Sequence, residues 1–279
     1  FAALRVVPGL LSAPVDARLN LVANWVLLLV TSLECRHLFL MLGDEGSAWR
    51  WLGWVLPLAA WLLWSARRTA PRRWPAARLP DLYRFSTTLP LAVVLLAWLF
   101  LANVQASGNS APLPYLPLAN PLELAMLLIL VTTWRWLNRV ADASPPAVSW
   151  QTLHEPLRLI VLSGAFLTYT CAVLRGVHHF AEVPYAFGPM MHSMVAQASL
   201  SLAWSLCAIG LMIAGNRVQR REIWIAGAVL VTLVLVKLFF IELSNRGGLE
   251  RIISFIGVGV LLLVVGYFAP VPARKEEQS

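Results

Sequence analysis

The chain of 279 residues is 59% hydrophobic and only 13% charged, and its mean hydropathy is +0.70. A soluble globular domain carries about a quarter of its residues as charged ones, so this composition excludes that class and indicates a membrane protein. The formal charge of +8 does not indicate nucleic acid, because the basic residues lie in short loops beside apolar segments.

Eight apolar segments predict an all-α, polytopic transmembrane bundle of about eight spans. Each segment is close to the 20 residues that cross a hydrocarbon core of about 30 Å. Each must be helical, because unpaired backbone polar groups are not tolerated in lipid. The predicted spans are 19–40, 48–65, 88–106, 119–137, 156–178, 194–215, 222–242 and 250–269.

A weak internal repeat favours two parallel four-helix units. Arg36-His37 ends the first span and His178-His179 ends the fifth, 142 residues later, as parallel repeats in transporters would produce. Two-residue matches also arise by chance in apolar sequence. Because the chain begins with Phe1, residues 1–18 are interpreted as the cytoplasmic lead-in of a truncated or processed chain. The predicted domains after it are a first unit at 19–137, a cytoplasmic linker at 138–155, a second unit at 156–269 and a cytoplasmic tail at 270–279.

Arginine and lysine are distributed unequally between the two sides of the predicted bundle. Sixteen of the 22 lie in the lead-in, the loops after even-numbered spans and the tail. Cytoplasmic loops are enriched in these residues, so both termini of this segment are predicted to be cytoplasmic.

The external loop 105–120 has no charged residue and is rich in proline. Proline restricts its own φ and the residue before it, so the loop is expected to be stiff and extended, lying on or dipping into the membrane. Asn120 is expected to cap the fourth span and Pro121 to begin it. Glu123 follows in the first turn, where interaction with the helix N-terminus is a sufficient explanation for it.

Polar residues on the external side form the first two candidate clusters. Glu34, Arg36 and His37 lie near the outer end of the first span, and Glu34 and His37 share a helix face. They are either a ligand site in a bundle interior or an interfacial anchor. A second cluster follows the fifth span: Arg175, His178, His179 and Glu182, with His192 across the loop.

The chemistry of the second cluster is open between several alternatives. Histidine with glutamate can bind zinc or relay protons, but the spacing matches no metal motif and Arg175 disfavours a cation. A proton-linked or anion-contacting role and a plain interfacial role remain. No metal site is predicted.

The third candidate cluster surrounds the turn between the last two predicted spans. Its members are Lys237, Glu242, Arg246, Glu250 and Arg251. Lys237 is expected either to extend its ammonium toward the interface or to pair with Glu34 or Glu242.

The sequence contains no Walker, GxSxG, HExxH or Rossmann motif, so it predicts no cofactor. Three cysteines at unrelated spacings, without a CxxC pair, argue against a disulfide framework or a zinc site. They are interpreted as buried, inert thiols.

Several segments resemble a bacterial family of predicted membrane proteins, domain of unknown function 2339. The most specific are KLFFIEL at 237–243 and LERIISFIGVGVLLL at 249–263, followed by PYLPLANPLE at 114–123 and ECRHLF at 34–39. The resemblance implies a C-terminal portion of a longer protein of the bacterial inner membrane, with the external face in the periplasm. It implies no reaction.

The predicted function is transport or envelope biogenesis, with external cations meeting an anionic group such as a lipid phosphate or a sugar acid. Two alternatives remain: a membrane-embedded enzyme acting on a periplasmic or lipid-linked substrate, and a scaffold for a periplasmic protein partner. Whether the protein is an enzyme is therefore open. Membrane lipid is the expected partner and nucleic acid is not.

Overall fold

The computed structural model describes residues 13–41, 48–66, 87–141 and 149–238, together with residues 256, 259, 260 and 263. Within these residues the chain is all-helical and has no strand. The helices are α1 Ala13–Leu40, α2 Trp49–Ser65, α3 Thr88–Gln105, α4 Pro121–Ala141, α5 Ser149–Ala181, α6 Phe187–His192, α7 Met194–Arg217 and α8 Arg221–Lys237.

The first seven predicted spans each coincide with a helix, and the short α6 was not predicted. Among the described residues, four helices are long and apolar enough to cross a membrane: α1, α3, α5 and α7. With 17 residues each, α2 and α8 extend about 25 Å, and α4 carries three charged side chains. The predicted span 250–269 lies outside the continuously described ranges, so the structure supports four candidate spans rather than eight.

The chain divides into two compact units, Phe1–Arg175 and Gly176–Ser279. The first contains α1 to α4 and most of α5. The second contains the last turns of α5 and then α6 to α8. The predicted four-helix boundaries, 19–137 and 156–269, stay a prediction.

In the first unit, loop 106–120 joins the end of α3 to the start of α4. We call this end of the helices the loop end. Ala48 before α2 donates its N–H to Asn109 O at 2.6 Å, and Trp49 Nε1 donates to Ala111 O at 2.9 Å. Phe39 near the end of α1 stacks on Trp49, with 5.9 Å between ring centroids. Thus α1 and α3 end where α2 and α4 begin, as the alternation of apolar segments and loops predicts.

Helix α1 buries polar side chains and exposes apolar ones. Asp16, Asn20 and Asn24, spaced by four residues, are buried on one face, whereas Val22 and Val26 are more than half exposed. A helix on the surface of a soluble protein has the opposite distribution. Because lipid solvates valine and leucine, this arrangement supports a membrane-spanning α1.

Helices α1 and α2 cross at Gly53 with almost no space between their backbones. A Cβ atom on Gly53 would lie 2.2 Å from the Cα of Arg36, so only glycine fits there. Small residues permit close packing of membrane helices. Beside this crossing, the core of the first unit is formed by fully buried leucines of α2 and α3, including Leu62, Leu91 and Leu99.

The second unit is built on the α7–α8 hairpin. Ala208 and Met212 of α7 pack with Leu230 and Val231 of α8. The hairpin turn is closed by the bond from Arg220 N to Gly215 O at 2.9 Å. This packing positions the end of α8 beside the start of α7.

Candidate functional site

Arg175 is completely buried at the loop end of the first unit, near the C-terminus of α3. Its Nε donates to Ala106 O at 3.0 Å. Its Nη2 donates to Ala102 O at 3.4 Å and to Asn103 Oδ1 at 3.2 Å. The C-terminal carbonyl groups of a helix carry a partial negative charge, so the guanidinium both satisfies these carbonyls and is stabilised by them.

The counter-charge of Arg175 is Glu123, whose side chain is 2% exposed. Glu123 Oε1 lies 3.9 Å from Arg175 Nη1, an ion-pair distance longer than a direct hydrogen bond. Tyr115 OH donates to Oε1 at 2.8 Å, and Leu118 N donates to Oε2 at 2.6 Å. The loop therefore hydrogen-bonds both oxygens of the carboxylate.

Loop 106–120 folds onto the helix ends in two turns rather than being extended as the sequence predicts. The turns are closed by bonds from Leu113 N to Ser110 O and from Ala119 N to Leu116 O. Asn120 Nδ2 donates to the carbonyl of Gly108 at 2.7 Å and to Ser110 Oγ at 3.1 Å. These hydrogen bonds stabilise the folded loop relative to the extended backbone that the prolines alone would favour.

The expected cap of α4 is confirmed. Asn120 Oδ1 accepts from Leu122 N at 2.9 Å, and α4 begins at Pro121. Asn120 thus joins the start of α4 to the loop above it, which places Glu123 beneath the loop.

Gly108 allows the loop to approach Arg175 closely. Its φ of +82° is in the left-handed region, and a Cβ there would lie 3.1 Å from Arg175 Cδ and 3.3 Å from Tyr115 Cε2. A side chain at this position would be strained and would push against the side chains of Arg175 and Tyr115.

Asn103 and Thr168 extend the polar network along α3 and α5. Asn103 Nδ2 donates to Leu99 O at 2.9 Å and to Thr168 Oγ1 at 3.0 Å, and Thr168 Oγ1 donates to Gly164 O. Both side chains are buried. The hydrogen bonds of its Nδ2 therefore fix the orientation of Asn103 Oδ1, which accepts a hydrogen bond from Arg175 Nη2.

The structure places the three residues of the first predicted cluster near the end of α1, in two different environments. Glu34 and His37 are exposed, and Arg36 is partly buried at the α1–α2 crossing. The guanidinium of Arg36 lies over Trp54, 5.7 Å from the ring centroid. A cation–π contact of this kind anchors the helix end without requiring a ligand.

The second predicted cluster is divided by the unit boundary after Arg175. In the second unit, His178 Nδ1 donates to Val183 O at 2.7 Å, and the rings of His178 and His179 meet edge-on at 4.8 Å. Glu182 and His192 are exposed. Among the residues that the structure describes, no group of three or more His, Cys, Asp or Glu side chains is arranged to hold a metal ion.

In the third predicted cluster only Lys237 is described, because Glu242, Arg246, Glu250 and Arg251 lie outside the described residues. Lys237 Nζ donates to Gln197 O at 2.9 Å and to Ser201 Oγ at 2.6 Å. Its ammonium therefore turns toward α7. Gln197 also donates to Met190 O at 3.1 Å, which links α6 to the same place.

The sequence interpretation did not include Glu123, Tyr115 or Asn103 among the candidate site residues. Glu123 was explained only by a favourable interaction with the N-terminus of α4. In the structure it does lie in the first turn of α4, but it also contacts Tyr115, Leu118 and Arg175. The available signal was its place in PYLPLANPLE, because an acid that begins an apolar helix on the same side as Arg175 can be its counter-charge.

Comparison with known proteins gives one match. A family model described as predicted membrane protein (DUF2339) matches residues 2–272, nearly the whole chain rather than its C-terminal segment alone. No curated protein and no solved structure matches the chain.

Proposed function

The chain belongs to the DUF2339 family of predicted membrane proteins, and we propose that it serves transport or envelope biogenesis in the bacterial inner membrane. In this proposal it binds an anionic group at the loop end of the first unit. The group is a phosphate or carboxylate, carried by a lipid or by a sugar acid.

The observation that supports this proposal is the fully buried guanidinium of Arg175 beside a buried carboxylate. Ionisable side chains within membrane helices are unfavourable and usually mark a functional site. Arg175 also donates to three neutral acceptors, which are two backbone carbonyls and an amide oxygen. In this proposal a ligand anion would replace Glu123 as the partner of Arg175.

Arg175 and Glu123 are held at an ion-pair distance rather than by a direct hydrogen bond. Tyr115 OH and Leu118 N bind the carboxylate of Glu123, which is 3.9 Å from the guanidinium. A phosphate or carboxylate can bind arginine through two direct N–H groups at shorter distances. An entering anion would neutralise Arg175 while the loop continues to bind Glu123.

The test measures the melting temperature of the purified protein in nanodiscs of phosphatidylcholine, with and without phosphatidylglycerol, and with added glucuronate. A ligand that binds the folded state raises the melting temperature. A rise with phosphatidylglycerol alone identifies a lipid phosphate as the source, and a rise with glucuronate identifies a free sugar acid. The proposal is refuted if neither anion changes the melting temperature.

Two variants assign the effect to the buried pair. Arg175→Gln should abolish the anion-dependent rise, whereas Glu123→Gln should enlarge it because the competing negative charge is removed. Arg158→Gln is the matched control, since Arg158 is also on α5 but is 39% exposed and pairs with Glu155 at 3.8 Å. Equal rises in Arg175→Gln and Arg158→Gln would show that anions act through general surface charge.

We also propose that the loop end faces the periplasm and that both termini of this segment are cytoplasmic. The charge asymmetry of the loops supports this orientation. A reporter that is active only in the cytosol, inserted between Pro112 and Leu113, should give no signal. The same reporter after Gln219 should be active, and a reversed result would place the anion site on the cytoplasmic side.

A further inference from the structure

The connection between α5 and α7 in the second unit, together with the residues at the ends of these helices, exposes large apolar side chains. Phe187 is 84% exposed, and Phe180 at the end of α5 is 70% exposed. Met191 and Met194 are also exposed. A segment in water would not be expected to present such a run of apolar surface.

This connection is fixed to both neighbouring helices. On one side, His178 Nδ1 donates to Val183 O at 2.7 Å, and the His178 ring lies 6.0 Å from that of Tyr185. On the other side, Gln197 of α7 donates to Met190 O at 3.1 Å. The exposed side chains therefore project from a defined backbone.

Helix α6 has two different faces. Met190 is buried against the second unit, whereas Phe187 and Met191, four residues apart, are exposed on another face. Because α5 and α7 are both candidate membrane spans, the short connection between their ends must lie at a membrane surface. In the same unit, Leu202 and Leu206 of α7 are also exposed.

We propose that residues 180–194 form an interfacial anchor, with Phe187 and Met191 inserted at the boundary between lipid headgroups and acyl chains. Short amphipathic segments occupy this depth with their apolar face in the lipid. The segment contains a single formally charged residue, Glu182, so little charge opposes insertion. The partner of this surface is the bilayer itself, and the inference is independent of the anion site.

The test uses a nitroxide label on Phe187→Cys in the full chain, with Cys35, Cys171 and Cys207 replaced by alanine. The protein is reconstituted in vesicles of phosphatidylethanolamine and phosphatidylglycerol. Collision of the label with oxygen and with a water-soluble nickel chelate then reports its depth. We expect the label to favour oxygen and to lie about 5–10 Å below the headgroup surface.

Two further positions make the result decisive. Met191→Cys on the same face should give the same depth, and it replaces Phe187→Cys if that variant does not fold. Gln219→Cys is the control, because Gln219 is exposed in the turn between α7 and α8 and should favour the nickel chelate. If Phe187 resembles Gln219, the segment lies in water and the proposal is wrong. If both reagents are excluded from Phe187, protein covers the surface and the proposal is also wrong.

Discussion

Removing the carboxylate of Glu123 tests whether the buried pair is one interacting unit. Glu123→Leu deprives Tyr115 OH and Leu118 N of their acceptor and leaves the buried charge of Arg175 without its counter-charge. Removing one partner of a buried ion pair destabilises a protein by about 3–5 kcal/mol. We expect Glu123→Leu and Arg175→Met each to lower the free energy of unfolding by this amount.

The double variant should be far less destabilised than the sum of the two. Without either charge, the remaining losses are two unsatisfied loop donors and two carbonyls at the end of α3, at the lower end of the range of about 1–3 kcal/mol for each buried group. A double variant destabilised by about 4–6 kcal/mol, against about 6–10 for the sum, gives a coupling of about 2–4 kcal/mol.

The assay is unfolding by sodium dodecyl sulfate in mixed micelles, followed by circular dichroism for all four proteins of the cycle. Arg158→Met is the control for loss of one arginine from α5 and should cost about 1 kcal/mol or less, because its ion pair is exposed. If the double variant equals the sum within about 0.5 kcal/mol, the two side chains do not interact and the reasoning fails.

Three further substitutions test the packing and the loop by the same unfolding assay. Gly53→Leu should lower the free energy of unfolding by about 1–3 kcal/mol or more, because its Cβ would lie 2.2 Å from Arg36 Cα. Gly210→Leu is the control and should change stability little, because a Cβ there meets nothing within 4 Å. Equal losses of stability in the two variants would contradict the close crossing of α1 and α2. Asn24→Leu should raise the free energy of unfolding by about 1–3 kcal/mol, because both polar atoms of its buried amide lack a hydrogen-bond partner within the described part of the chain. A loss of stability would indicate that the amide has a function. Asn120→Ala should lower the free energy of unfolding by about 1–3 kcal/mol. It should also speed the exchange of backbone amide hydrogens in loop 106–120. Unchanged exchange would show that the Asn120 side chain does not fix the loop.

Sequence reasoning predicted the helices of the first unit well because the rules involved are local. Apolar length and the need to satisfy backbone polar groups identify a membrane helix without knowledge of its neighbours. The cap at Asn120 and the start of α4 at Pro121 likewise depend on adjacent residues. Within the described residues, the same rules do not include α2, α4 and α8 among the candidate spans, because these helices are shorter or carry charge.

The candidate site residues stay a prediction, and the structure adds the surroundings of two of them. Arg175 was included as a candidate, but its role as an external cation assumed that it points toward a ligand. In the structure it is buried among Ala106, Asn103 and Glu123. Lys237 donates to Gln197 O of α7. Its expected extension to the interface, or its pairing with Glu34 or Glu242, stays a prediction because Glu242 lies outside the described residues.

The amino-acid sequence alone determined that this is a helical membrane protein of the DUF2339 family, and it indicated on which side of the bundle the unusual charges lie. Only the tertiary structure decided which charges meet. Arg175 and Asn103 are 72 residues apart in the chain, and Glu123 comes beneath the loop only when loop 106–120 folds onto the ends of α3 and α4. Such pairing depends on the path of a loop and on helix packing, and neither is encoded in hydropathy or residue spacing.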